Sequence, residues 1–409
     1  MEKFSRFRDS GTGIQVFLTP VAPSSAASAS PLAILARLPA YLVAAVRLIL
    51  LSIVALLWSL LSFIPATSPI LYSIFGQASL LLIGFAPIAT DKVSLKSRGR
   101  AAATSASLQH KPWQPKAGDV ILCNSSSWID ILIFAIKFNP QFTLPVVSEP
   151  PSTASTTATG TPNSKTARRR NAGASVVSEV NAAASAAAGA SAGGVNDQRK
   201  VLGFVPVPFL TALNHAASGQ APLYPSNPLA SQPLDIPSLS SRSQRPILIF
   251  PELVTSNNRG LLSALSPAIF PQSWRDLYRA TGALRMGKGQ ANLYIASVKY
   301  DPPTPFARTS ATSSAPQPAG GPLRHVVSLC ADLTFARGVQ LRLLDVDESP
   351  TSPGYQADIS ALGNAPRGPE IDVLADGVMG LISSMSRLRK TGLGWRDKEA
   401  FLAVVKKGP

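Results

Sequence analysis

The stretch that decides the fold is DVILCNSSSWIDIL, Asp119–Leu132, where an apolar run meets a helical pattern. The run up to Cys123 is continuous and contains β-branched residues, which is typical of a buried strand, whereas the apolar spacing after Ser127 is helical. Asn124 and Asp130 flank this junction, with serines between them. Ligands bind at strand ends in open α/β sheets, so we predict a functional site here. Asp130 is the single acid or base that the stretch offers at the junction.

Composition narrows the class of protein. Of the 409 residues 45% are hydrophobic and 15% charged, and the formal net charge is +16. An apolar and basic chain indicates a membrane protein with an anionic partner. We expect no nucleic-acid partner, because the basic residues are dispersed and no aromatic platform accompanies them. Cys123 and Cys330 lie in strand-like apolar runs, so we interpret them as reduced core thiols and expect no metal site.

Two apolar runs predict a membrane segment over residues 38–88. Leu48–Ile64 carries no charge, and Ile70–Ile88 is a weaker pattern because two glycines and a glutamine interrupt it. We predict a membrane helix or a helical hairpin, and both a crossing and a one-leaflet arrangement stay open. In the second arrangement Arg37 and Arg47 would reach the headgroups. A pair of buried core helices is the alternative.

Folded and low-complexity compositions alternate along the chain. The predicted division is an N-terminal segment 1–37, the membrane segment 38–88, an α/β domain 89–148 and 199–348, a disordered insertion 149–198, and a C-terminal helical segment 349–409. Ranges 217–244 and 304–322 are rich in Pro and Ser and are predicted as further low-complexity breaks. The predicted elements are strands 118–123, 142–147, 201–207, 245–250 and 291–299, a strand pair within 323–347, and a helix 127–138.

Four motifs taken in order resemble one known family. They are NSSSWID (Asn124–Asp130), GFVPV (Gly203–Val207), FPELVTSN (Phe250–Asn257) and VKY (Val298–Tyr300). Their order behind an apolar segment is similar to the four blocks of the glycerolipid acyltransferases, whose first block reads Asn-His-x-x-x-x-Asp and whose third reads Phe-Pro-Glu-Gly-Thr. The opening MEKFSRFRDSGTGIQVFL and the closing RLRKTGLGWRDKEAFLAVV resemble a fungal subgroup that acylates lysophosphatidic acid from oleoyl-CoA.

The resemblance implies a glycerolipid-acyltransferase-like sheet with flanking helices and an acyl-CoA:lysophosphatidic acid O-acyltransferase activity. The product, phosphatidic acid, would feed glycerolipid and triacylglycerol synthesis at the endoplasmic reticulum membrane and lipid droplets, with the site facing the cytosol. The implied partners are membrane lipids, a lysophospholipid and acyl-CoA, the last as co-substrate, with no bound cofactor. The alternative is a catalytically silent relative that binds lipid and organises lipid-droplet surfaces.

The resemblance also assigns roles to residues of this chain. In the family, the first-block histidine takes the proton of the glycerol hydroxyl and the aspartate orients that histidine. Here Ser125 occupies the histidine position and Asp130 the aspartate position, and we predict both as catalytic. Leu253 and Val254 replace the Gly-Thr of the third block. The predicted substrate-binding residues are Asn124, Glu252, Arg259 and Lys299.

Three questions about the base, the serines and the last helix stay open. The base is Asp130 if burial raises its pKa, or His215, for which a helix-surface position is the main alternative. The amides of Ser125–Ser127 either bind an oxyanion or phosphate, or the serines simply cap a helix. The C-terminal pattern that includes Leu381 and Met385 predicts an amphipathic helix that packs on the core or rests on the membrane.

Overall fold

The computed structural model describes most of the folded chain. The described residues are 2–21, 37–61, 68–85, 88–95, 112–149, 199–262, 268–285, 291–304, 307–311, 321–332, 336–357 and 372–406. The predicted insertion 149–198 lies outside these ranges apart from its first residue.

A seven-stranded, mostly parallel sheet forms the centre of the molecule. The strands are β1 (Ala89–Val93), β2 (Val120–Cys123), β3 (Gln141–Val147), β4 (Val201–Val207), β5 (Ile247–Ile249), β6 (Gly260–Leu262), β7 (Leu293–Tyr300), β8 (Val339–Leu344) and β9 (Arg389–Thr391). The sheet order is β1-β8-β7-β2-β5-β3-β4, and β6 pairs with β9 in a separate two-stranded sheet. Strands β7, β2, β5 and β3 are parallel, whereas β4 is antiparallel to β3 and β8 is antiparallel to β7.

Helices cover both faces of the sheet, because successive strand residues point to opposite sides. The helices are α1 (Arg37–Leu61), α2 (Ser68–Ile83), α3 (Trp128–Phe138), α4 (Phe209–Ser218), α5 (Ile236–Arg242), α6 (Gln272–Thr281), α7 (Gly321–Cys330), α8 (Val373–Ser386) and α9 (Trp395–Lys406). Val120 and Leu122 belong to the core cluster that contains residues of α5, α6, α8 and α9. Ile121 and Cys123 belong to the second cluster, with residues of α2, α3, α4 and α7. The structure is therefore an α/β protein with helices flanking the sheet, as the sequence predicts, and its core has three layers.

Two predictions about the later part of the chain are wrong. The described residues of 323–347, which leave out 333–335, contain one strand, β8, because the segment Gly321–Cys330 forms α7. Its valines suggest a strand, but the helix buries Leu329 against the core and exposes Leu323 and Val327 on its other side. The Pro- and Ser-rich range 217–244 is ordered, because buried Leu223, Ile236 and Leu239 anchor it.

The first apolar helix is longer than predicted and docks on the α/β core. Within the described residues, Pro39–Leu61 is the one helix segment long and apolar enough to cross a membrane. It packs against α2 and α7. The prediction that Arg47 reaches the headgroups is wrong: its guanidinium is buried and donates to the carbonyl oxygens of Cys330 (3.2 Å) and Asp332 (2.8 Å). The side chain of Arg37 lies outside the described residues.

The C-terminal segment contributes to the core of the sheet. Helix α8 buries Val378, Ile382 and Met385, so the structure favours core packing over membrane contact for this helix. Both cysteines are free thiols and buried, as predicted, although Cys330 ends α7 and does not lie in a strand.

Candidate functional site

The turn after β2 is held by a buried carboxylate. The backbone amides of Ser126 and Ser127 donate to Oδ2 of Asp130 at 2.7 and 2.9 Å, and the Tyr300 hydroxyl donates to Oδ1. Ser127 is the N-cap of α3, and with Asp130 it forms a capping box. Asp130 is fully buried. The carboxylate therefore positions the turn, and each of its oxygens accepts a hydrogen bond from the protein.

A second buried carboxylate holds the same turn from the third motif. Oε2 of Glu252 accepts from the Ser125 amide and Oε1 from the Leu262 amide, both at 2.8 Å. Asp130 and Glu252 thus converge on one turn, as expected for a single site. Every amide of Ser125–Ser127 donates to a carboxylate, so these groups are not available to bind an oxyanion. The capping interpretation is the one that the structure supports.

Asn124 and Leu253 serve the backbone at this site. The Asn124 side chain donates to the Val298 carbonyl at 3.0 Å and accepts from the Val298 amide at 2.9 Å, which extends the pairing of β2 with β7. Leu253 stands where the resembled family has glycine and adopts a φ of 60°. That left-handed conformation disfavours a side chain by about 1 kcal/mol, so the turn keeps a glycine-like backbone without glycine.

Burial shifts the pKa values of the two carboxyl groups that hold the turn. Burial raises the pKa of Asp130 to about 6, and the hydrogen bonds from Tyr300, Ser126 and Ser127 oppose the shift. It raises the pKa of Glu252 to about 8, against hydrogen bonds from Leu262 and Ser125.

Lys398 is a further charged group beneath the site, on α9. It is fully buried, and its Nζ donates to the carbonyl and hydroxyl oxygens of Thr255 at 2.7 and 2.6 Å. Burial lowers the pKa of Lys398 to about 7, while the nearby charge of Glu252 acts in the opposite direction. The sequence does not predict this role for Lys398, because a lysine within WRDKEAF carries no local sign of burial.

A small cavity of about 40 Å³ brings His215 to the turn. Its lining includes Ser125, His215, Leu253, Val254 and Thr255. Nε2 of His215 is buried without a hydrogen-bond partner in the described part of the chain. If the ring proton is on Nδ1, where it would donate to the backbone of Ala221, Nε2 is left as the acceptor. His215 is thus a cavity residue and not the helix-surface residue of the alternative interpretation.

The electrostatic state of His215 follows from its surroundings. Burial lowers its pKa to about 4, the Ala221 hydrogen bond opposes that shift, and the charge of Lys398 adds to it. At neutral pH the imidazole is therefore neutral and able to accept a proton. It is a weak base, because a general base is most effective with a pKa near the working pH.

The two remaining predicted substrate ligands lie away from this cavity. Nζ of Lys299 donates to the Ser386 carbonyl at 3.3 Å on the α8 side of the sheet, opposite to Tyr300. Arg259 is exposed in the loop that follows the third motif, and its amide donates to the Asn257 side chain at 3.1 Å. The structure therefore unites Ser125, Asp130 and Glu252 and leaves both predicted phosphate ligands outside the group.

The fold and site together define an α/β protein with a polar turn at the end of a central parallel strand. Comparison with known proteins adds no family: no family model, no curated protein and no solved structure matches the chain.

Proposed function

We propose that this protein transfers an acyl group from acyl-CoA to the hydroxyl group of a lysophospholipid, with lysophosphatidic acid as substrate and phosphatidic acid as product. The observation that supports this proposal best is the cavity lined by both Ser125 and His215, whose buried Nε2 has no hydrogen-bond partner among the described residues. That cavity lies over a turn that two buried carboxylates hold rigid. It supplies a proton acceptor that the serine-containing first motif lacks.

The reaction follows from ordinary acyl-transfer chemistry. The substrate hydroxyl oxygen attacks the thioester carbonyl carbon, so a C–O bond forms and the C–S bond breaks. The hydroxyl proton passes to Nε2 of His215 and then to the departing CoA thiolate, which restores the neutral imidazole. Asp130 and Glu252 act as positioning residues, because their oxygens are occupied by backbone amides and by Tyr300. A 40 Å³ space accommodates the reacting hydroxyl, and the acyl chain stays outside it.

The apolar outer side of α1 supports a membrane location for this chemistry. Leu42, Ile49, Leu56 and Leu60 are each more than half exposed. Transfer of a lysophospholipid acyl chain out of a bilayer costs about 0.8 kcal/mol for each methylene, so an interfacial enzyme acts on it with the chain still in lipid. We extend the proposal to the endoplasmic reticulum membrane and lipid droplets, with the site facing the cytosol.

The test is an acyltransferase assay with the full chain purified in detergent. The wild type is given labelled oleoyl-CoA and lysophosphatidic acid, and His215→Gln is compared with Asn214→Ala, an exposed position on the same helix. We expect His215→Gln to lower kcat by about a hundredfold, the lower end of the usual contribution of a general base, because His215 is a weak base. Asn214→Ala should behave as the wild type. Unchanged turnover in His215→Gln would remove His215 from the mechanism.

A catalytically silent lipid-binding protein is the second candidate function. The observation that favours it is the saturation of Asp130 and Glu252 by structural hydrogen bonds, together with serine at the histidine position. The same purified protein distinguishes the two candidates. Binding of lysophosphatidic acid without any acyl transfer by the wild type selects the second.

A further inference from the structure

A second, larger cavity shares Phe204 with the cavity that contains His215. Its volume is about 350 Å³. The larger cavity is lined by four basic side chains, Arg199, Lys200, Arg275 and Arg396, and by one carboxylate, Asp235. None of the four was predicted as a ligand, because they come from three separate parts of the sequence.

Two of the arginines are held in place by Trp395 on α9. The guanidinium carbon of Arg199 lies 4.9 Å from the indole centroid and that of Arg396 lies 5.5 Å from it. Nη2 of Arg396 also donates to the Arg199 carbonyl at 2.6 Å, and Arg199 forms an ion pair with Glu399. Stacking and hydrogen bonding fix these planar groups, so little side-chain entropy is lost when they bind a ligand.

The start of α6 adds a favourable dipole to the same cavity. Pro271 and Gln272 line it, the N-cap Pro271 makes no side-chain cap hydrogen bond, and the first turn of α6 holds no acidic residue. Helix N-termini attract anions through their free amides and the helix dipole. Asp235 offsets this only in part, because its carboxylate caps α5 by accepting from the Ser238 amide at 3.2 Å.

The sum of charges favours an anion. Four basic groups line the cavity against Asp235, and even with Glu399 behind Arg199 and Asp372 near Arg275 the cations outnumber the carboxylates. Lys200 is exposed and makes no ion pair within the described residues. We propose that this cavity binds a phosphate monoester. A phosphate dianion matches both the planar arginines and the lysine, and 350 Å³ holds the phosphate with its attached group.

Two kinds of molecule could supply a phosphate monoester to this cavity. One is the headgroup of a phosphorylated lysolipid and the other is the phosphorylated nucleotide part of CoA. Either phosphate would bind in a cavity that shares the lining residue Phe204 with the cavity of Ser125 and His215. The binding site itself does not depend on the proposed acyl transfer, since its measurement is affinity and not turnover.

The test measures affinities of the full chain in detergent by thermophoresis at low salt. The probes are glycerol 3-phosphate, coenzyme A and dephospho-coenzyme A. The protein is compared with Lys200→Gln, with the double variant Lys200→Gln/Arg396→Gln, and with the control Lys116→Gln, an exposed lysine outside the cavity lining. We expect about a tenfold weaker Kd for each cation removed and no change in the control.

The probes separate the two sources. A tight glycerol 3-phosphate complex, with equal binding of the two coenzymes, identifies the lipid headgroup. If dephospho-coenzyme A binds more weakly than coenzyme A, and glycerol 3-phosphate does not compete, the ligand is the phosphate of coenzyme A. Wild-type affinity in a folded Lys200→Gln variant, or no binding of any probe at millimolar concentration, overturns the proposal. Probe binding in a protein without acyl transfer leaves the cavity assignment standing and refutes only the proposed enzyme activity.

Discussion

Replacement of Asp130 by alanine tests whether this carboxylate holds the turn. The change leaves three buried donors without their acceptor, the amides of Ser126 and Ser127 and the Tyr300 hydroxyl. An orphaned buried donor costs about 2 kcal/mol. Against this, an ionised Asp130 whose pKa is raised from 3.8 to about 6 destabilises the folded state by about 3 kcal/mol at pH 7. We therefore expect Asp130→Ala to lower the free energy of unfolding by about 3 kcal/mol.

The assay is urea unfolding of the full chain in detergent, followed by the fluorescence of its five tryptophans. Ser241→Ala is the control, because its exposed hydroxyl bonds only within α5 and its loss is expected to change little. A loss of less than about 1 kcal/mol in Asp130→Ala would contradict the positioning role.

The pH dependence of stability in the wild type and in Asp130→Asn gives an independent measure of the burial of this carboxyl group. Because the pKa of Asp130 is higher in the folded than in the unfolded chain, the folded wild type binds more protons between pH 4 and pH 6. Its stability therefore falls as the pH rises through that window, by about 3 kcal/mol from this group. In Asp130→Asn the loss of stability that Asp130 causes with rising pH is absent. The loss of stability that Glu252 causes remains.

Two further predictions concern buried groups of the C-terminal helices. The pKa of Lys398 is lowered from 10.5 to about 7, so the unfolded chain binds more protons above pH 7 and the wild type gains about 1 kcal/mol of stability between pH 8 and pH 9; urea unfolding at both pH values should show almost no such gain in Lys398→Met. Met385→Asp places a carboxylate at a position 1% exposed, so it should abolish cooperative thermal unfolding, whereas the half-buried Leu381→Asp should retain it; a folded Met385→Asp would contradict the core position of α8.

The central strands and the turn were predictable because their signals are local. Continuous apolar residues up to Cys123 predict a strand buried on both faces, and Ser127 with Asp130 three residues later predicts a capping box. Both features are present. Glu252 was likewise expected beside Asp130, through the resemblance of the motifs.

The features that the sequence did not predict depend on distant contacts. Arg47 looks like an interfacial arginine until α7, almost three hundred residues later, supplies its acceptors. The sequence around Lys398 and around the four basic residues of the larger cavity is typical of a protein surface. Lys398 is buried because α9 packs against the third motif. The left-handed backbone of Leu253 is also invisible in sequence, because leucine rarely adopts it.

The buried Arg47 fixes α1 to the α/β domain. A membrane helix joined only by a flexible linker lets its domain float at any height above the lipid. Here Arg47, near the middle of the apolar helix, donates hydrogen bonds to the backbone at the end of α7 and just after it. Helix α7 in turn packs on the layer that contains α3 and its turn. A bilayer that takes up the outer side of α1 would therefore hold the His215 cavity at one set depth. In that arrangement α1 would fix the distance between the His215 cavity and the lipid headgroups.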